Sequence, residues 1–147
     1  MAAAILKSEA DPRVKLKVEK IKKLTGLDLN DLCQAAADTM RDTLAFSLGM
    51  TSPEPPDMEK IKRYFEGVLL VPERDIFVGR IDDTISGSIQ LVRPSASNKT
   101  SDFAVLVDNH FVAPWARGHG LAKALLVEAE KYSQKKGFTL LKLSVRA

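Results

Sequence analysis

With 147 residues, a net charge of +3, 45% hydrophobic and 28% charged residues, the chain reads as one globular, soluble domain with the length for a real core. That charge is too mild to argue for nucleic acid, and the single cysteine, Cys33, rules out an internal disulfide and a cysteine zinc cluster, so no metal site is expected. The start lacks the long apolar core of a signal peptide and no apolar run reaches membrane-spanning length, so a cytoplasmic protein without a membrane partner is expected.

Residues 1–13 read as a loose tail, and residues 14–147 as the folded domain. Val14, Leu16 and Val18 alternate with Lys15 and Lys17, which predicts a first strand. Ile21 and Leu24 break that parity, which predicts a bulge or a change of register. After the turn at Thr25-Gly26, helical spacing of Leu29, Leu32, Cys33, Ala36 and Met40 predicts a helix over Leu29–Arg41, with Asp28 or Asn30 as cap. Residues 42–56 are rich in proline and predict a loop or a broken helix.

Asp57 then caps a second helix over Met58–Leu70, whose buried face uses Ile61, Phe65 and Val68/Leu69, and Pro72 ends it. Strands follow at 76–78 and Ile85–Val92, joined at Asp82-Asp83. In the second, Ser86, Ser88 and Gln90 alternate with apolar residues and glycine, so one face packs while the other meets solvent or ligand. A polar loop, Arg93–Asp102, leads to a strand over Phe103–Val112, a helix that runs from a glycine turn to about Lys136, and a last strand over Phe138–Val145. The order predicts a mixed α/β or α+β layer fold. The chain stops in or just after a strand, so it is either a fragment or has its last sheet edge covered by a partner, such as a second copy in a homodimer.

The most informative stretch is VAPWARGHGLAK, Val112 to Lys123: strand end, basic glycine-rich turn, helix start. Such a join aims backbone N–H groups at one spot, backed by the positive end of a helix, and suits a phosphate. Gly118-His119-Gly120 is followed at the third position by Lys123, which fails the dinucleotide fingerprint, and a P-loop is absent. Taken as a lone G-x-G, the turn reads rather as a plain corner without a ligand.

The wider context resembles motif A of the GNAT superfamily of N-acetyltransferases, [RQ]-x-x-G-x-[GA] after a V-x-P strand end. Arg117, Gly120 and Ala122 fill the first pattern, and Val112 and Pro114 the second. The element order matches that fold from its first strand to its fifth, so the resemblance covers nearly all of the chain and implies a mixed, mostly antiparallel sheet flanked by helices, lacking the last helix and strands. It implies acetyl-CoA as co-substrate, with Arg117, Gly118, His119, Gly120, Leu121, Ala122 and Lys123 around its pyrophosphate and the backbone of Phe111 and Val112 on its pantothenate arm. Of these, His119 reads as exposed rather than catalytic, and Trp115 as a shield for the turn.

The activity implied is transfer of an acetyl group to a primary amine of a small molecule, or of a protein N-terminus or lysine, by direct attack in a ternary complex. The alternative is a non-catalytic acyl-CoA-binding or regulatory module. For the base, strand alternation puts Asp108, His110 and Val112 on one face. Asp108 lies four residues before the motif valine, where many members of the family carry an acid or histidine, and His110 is a second candidate or tunes Asp108. The competing reading has Asp108 bind a cationic substrate, or cap a bulge with Asn109. Tyr64 and Tyr132 read as structural, and Cys33 as an inert core thiol. The general acid is unassigned.

Overall fold

The computed structural model of the chain describes residues 3–8, 10–48, 57–94, 104–138 and 140–143. Strand β1 (Ala4–Lys7) lies at one end of the sheet and is followed by β2 (Lys15–Ile21), then helices α1 (Gly26–Leu48) and α2 (Met58–Val68). Strands β3 (Arg74–Ile81), β4 (Thr84–Val92) and β5 (Ala104–Val112) follow in a meander. A short 3₁₀ turn (Pro114–Ala116), helix α3 (Leu121–Lys135) and β6 (Leu140–Leu143) complete the described chain. The sheet order is β1-β2-β3-β4-β5-β6, antiparallel throughout except for the parallel β5–β6 pair. The expected mixed, mostly antiparallel layer fold is thus present.

The expected loose tail is not one. Residues 4–7 pair with β2 in register Ala4↔Val18 to Lys7↔Lys15. Four residues carrying one alternation are too short to stand out in a sequence, and their order comes from pairing. Helix α1 also starts earlier and ends later than its apolar stripe predicts. Asp28 therefore lies inside its first turn rather than at its cap. There it suits the positive end of the helix, and Arg80 clasps it at 2.9 and 3.0 Å while also holding Glu19 at 2.9 Å. This clasp holds the Asp28 carboxyl below its ordinary range. Helix α2 matches its prediction more closely: Asp57 accepts from the Glu59 and Lys60 N–H groups at 3.0 and 3.4 Å, and Ile61, Phe65 and Val68 are buried.

Each face of the sheet has its own core. Leu16, Val18, Phe77, Ile89, Leu91, Val107 and Val112 pack with Leu121, Leu125 and Ala129 of α3. Val78 and Ile85 pack with Leu29, Leu32 and Cys33 of α1 and with Ile61 and Phe65 of α2. The parity break at Ile21 is therefore not a bulge. The β2–β3 register is continuous to Ile21↔Ile76, and Ile21 simply serves the second core. Cys33 is buried there, and desolvation pushes its thiol pKa up.

Ser86, Ser88 and Gln90 are all buried, so the expectation that their face meets solvent does not hold. The α1–α2 layer covers it, and the polar groups are satisfied: Ser86 Oγ donates to the Thr84 carbonyl and Ser88 Oγ to the Phe77 carbonyl, both at 2.8 Å. Two glycines set the spacing around the future site. A Cβ on Gly79 would lie 2.6 Å from Leu121 Cδ1, and one on Gly87 would lie 2.6 Å from the Phe111 carbonyl oxygen. The first lets α3 settle on the sheet, and the second lets β4 approach β5.

Candidate active site

Strand β5 positions the chemistry through a defect. Gln90 pairs with Asp108 and Ser88 with Phe111, so Asn109 and His110 together face the single residue between those partners. Asn109 takes the left-handed conformation at φ 46°, which asparagine tolerates better than most residues. The extra residue reverses the alternation. Asp108 and His110 therefore lie on opposite faces, and the expectation that they share one with Val112 is corrected: only His110 keeps the parity of Val112.

Asp108 faces the α1–α2 layer. Arg74 Nη1 donates to its Oδ2 at 3.1 Å, and the Asn109 N–H donates to its Oδ1 at 3.0 Å. Its side chain is only 11% exposed. His110 reaches toward α3, where its Nε2 lies 3.0 Å from the Ala122 carbonyl oxygen. A carbonyl only accepts, so that nitrogen carries the proton and Nδ1 keeps a bare lone pair. Desolvation lowers the pKa of the ring below its ordinary 6.5, with the Ala122 contact opposing the shift.

The outer edge of β5 carries β6 along its first half. Strand β6 pairs with it from Ala104↔Leu140 to Val107↔Leu143 among the described residues. Beyond that point the backbone of Phe111 and Val112 leads directly into the turn. The Ala113 N–H closes the ladder on the Ser86 carbonyl at 2.8 Å, and buried Ala113, Ala116 and Leu121 anchor both ends of the loop. Between them Gly118 and Gly120 stand at φ 89° and 86°, a region that side chains with a Cβ strongly disfavour. Gly120 is the N-cap of α3 and supplies no side-chain bond to the first turn. The leading N–H groups of Leu121, Ala122 and Lys123 thus face outward, with open space around Gly118. Arg117 and Lys123 are exposed beside them.

His119, between the two glycines, is tied to the other end of the chain. Its Nδ1 lies 2.6 Å from Ser8 Oγ. That oxygen already accepts the N–H groups of Ala10 and Asp11 at 3.1 Å each, so its own proton goes to the imidazole. Trp115 is 54% exposed and its Nε1 donates to Asp38 Oδ2 of α1 at 2.9 Å, pinning the 3₁₀ turn to that helix.

On the other face a cleft of about 590 Å³ opens between α1, α2 and the bulge. Its wall includes Ala36, Met40, Ile61, Tyr64, Phe65 and Phe111, and Asn109 and His110 reach it from the bulge. Tyr64, read from sequence as structural, is bonded to Asn109 Nδ2 and to Gln90 Nε2, the latter at 3.2 Å. The sequence carries a faint signal of this network, Gln90 in an otherwise apolar and serine alternation. Nothing in the spacing joins it to Tyr64 or Arg74.

A bulged strand running into a glycine turn with outward N–H groups at a helix start has the local shape that motif A implied. The acetyltransferase (GNAT) family model matches residues 34–147. A protein described as an uncharacterized N-acetyltransferase in the hisH-hisA intergenic region of Azospirillum brasilense is 46% identical over 129 residues, which cover 88% of this chain and 74% of that protein.

This chain belongs to the GNAT acetyltransferase family.

It is accordingly an acetyltransferase. Solved structures agree on the fold. PaiA N-acetyltransferase from Thermoplasma acidophilum, in complex with coenzyme A, superposes with a TM-score of 0.65 at 24% identity, covering 87% of this chain and 79% of that one. A predicted acetyltransferase from Clostridium acetobutylicum with acetyl-CoA gives a TM-score of 0.54 at 17% identity, covering 88% and 80%. The structure of AAC(6')-Iy in complex with the bisubstrate analogue CoA-S-monomethyl-acetylneamine gives 0.59 at 16%, covering 89% and 80%. None of the helices among the described residues is long and apolar enough to cross a membrane.

Proposed function

We propose that this GNAT enzyme transfers an acetyl group from acetyl-CoA to an amine by direct attack in a ternary complex. The observation that carries the reading is the join of the bulged strand β5 to a turn with two left-handed glycines at a helix start. The N–H groups from Gly118 to Lys123, with Arg117 and Lys123 at the rim, suit a pyrophosphate. The backbone of Phe111 and Val112 offers an extended arm the bonds of an added strand.

Of the two candidate bases, we assign proton transfer to His110. His110 is among the residues that line the cleft, and with its Nε2 on the Ala122 carbonyl its Nδ1 is left to accept a proton, whereas Asp108 is engaged by Arg74 and the Asn109 N–H. Asp108 instead fixes the bulge and the side-chain network behind the cleft. In the reaction the amine nitrogen forms a bond to the acetyl carbon and the carbon–sulfur bond breaks. His110 takes the amine proton, and sulfur leaves as thiolate and gains a proton from water. Holding both reactants at the bulge supplies much of the acceleration.

The test is release of free thiol from acetyl-CoA over a panel of amines, run beside a titration of coenzyme A. Binding with amine-dependent thiol release is expected. Binding without release from any amine would leave a non-catalytic acyl-CoA module, and no binding would remove the cofactor assignment.

A further inference from the structure

The Tyr64 hydroxyl oxygen receives N–H groups from two side chains, Gln90 Nε2 and Asn109 Nδ2. The Gln90 amide has no freedom to turn the other way. Arg74 Nη1 donates to its Oε1 at 2.8 Å, and arginine only donates, so the amide nitrogen has to face Tyr64. Gln90 is fully buried, and Arg74 is itself held by Asp108. A phenol oxygen that accepts two hydrogen bonds has its own O–H left to give. Tyr64 is 41% exposed and stands in the wall of the cleft among Ala36, Met40, Ile61, Phe65 and Phe111.

We infer that the Tyr64 hydroxyl is the specificity contact of the acceptor site, donating to an oxygen on an amine whose body is apolar. The inference rests on the reading of the cleft as the place where the amine binds. Ala36, Met40, Ile61, Phe65 and Phe111 reward an apolar body, and the Tyr64 donor set among them orients it, with Thr39 and Lys60 also on the cleft wall. The Arg74–Gln90 relay explains why a glutamine is buried under the cleft: it locks the direction in which the phenol can donate. An amide of an apolar amino acid has the required parts, namely an amine, an apolar side chain and a carbonyl oxygen.

The experiment compares phenylalaninamide, phenethylamine and spermidine as acceptors, by thiol release from acetyl-CoA. Phenethylamine keeps the amine and the ring but lacks the carbonyl, and spermidine replaces the apolar body by charge. The native enzyme should rank them in that order by kcat/KM. Tyr64→Phe should cut the ratio of phenylalaninamide to phenethylamine roughly three- to tenfold, the worth of one hydrogen bond, and act mainly through KM. Gln90→Leu, which removes the amide that aims the phenol, should lower the same ratio by less. An equal loss on both amines, or a drop in kcat alone, would overturn the specificity role. A preference for spermidine would overturn the acceptor class while leaving the enzyme an amine acetyltransferase. No thiol release from any amine would instead sink the proposed function itself.

Discussion

The two faces of the sheet carry the two halves of the site in different materials. On the α3 face the proposed site is made of backbone: glycines at positive φ and a helix start without a side-chain cap. On the α1–α2 face it is made of side chains from four elements, joined as Asp108–Arg74–Gln90–Tyr64. Backbone geometry is written in consecutive residues and tolerates changes in its neighbours. A side-chain relay depends on four residues placed together by the fold, and each of them is free to differ when the ligand differs. In the proposed site, the cofactor half is thus written locally in the chain, and the acceptor half is assembled only by the fold.

The bulge at Asn109 separates these halves, so the largest predicted effect lies there. If His110 is the base, His110→Gln should lower kcat about a hundredfold, the ordinary scale of general-base catalysis. Asp108→Asn should cost less, through a loosened Arg74. The base works when neutral, and its pKa is lowered by desolvation. The acid limb of kcat/KM should therefore fall below pH 6.5, the ordinary histidine value, and vanish in the variant. A larger loss in Asp108→Asn, with the limb intact in His110→Gln, would return the role to Asp108.

Next in size is the close approach that holds the halves together. A Cβ on Gly87 would meet the Phe111 carbonyl oxygen at 2.6 Å and Val112 Cα at 3.2 Å, and both are backbone atoms of the strand that serves the two faces. Gly87→Ala should cost about 1–3 kcal/mol, as overpacking does. A thermal melt should show a fall of several degrees, and coenzyme A should bind more weakly because the edge at Phe111 is displaced. Wild-type melting and binding would show that β5 shifts without consequence, and would break the claim that its backbone position is what the cofactor half depends on.

How far the site was legible in sequence follows the same division. Val112, Pro114, Arg117, Gly120 and Ala122 stand within one short stretch, and their left-handed turn and helix start could be read in order. The opposite faces of Asp108 and His110 could not, because strict alternation holds only in a strand without a bulge. Asn109 hinted at the bulge but did not fix which pairing would slip. Tyr64 looked like a packing residue because its partners lie 26 and 45 positions away, at Gln90 and Asn109. The core faces of α1 and α2 were legible from helical spacing. The extra turns of α1 were not, since Gly26 at its start carries no propensity for a helix.

One contact crosses this division and gives the smallest, sharpest test. The turn of motif A reads as a local device, yet His119 at its centre is held by Ser8, 111 residues away. Ser8 is buried, and with two backbone N–H groups on its oxygen it has one proton to give, which fixes the imidazole's orientation between the two glycines. Strand β1 and Ser8 after it are thus a brace for the glycine turn and not an appendage. Ser8→Ala leaves both N–H groups and Nδ1 without that partner and should weaken coenzyme A binding by a few-fold, on the scale of one hydrogen bond. Ser8→Thr keeps the hydroxyl and should restore most of the affinity. With saturating acetyl-CoA, kcat should change less than KM, because the brace touches the loop and not the reacting atoms. Equal affinity in Ser8→Ala would mean that the glycines and the start of α3 shape the loop unaided, and the cofactor half would then be as local as its sequence makes it look.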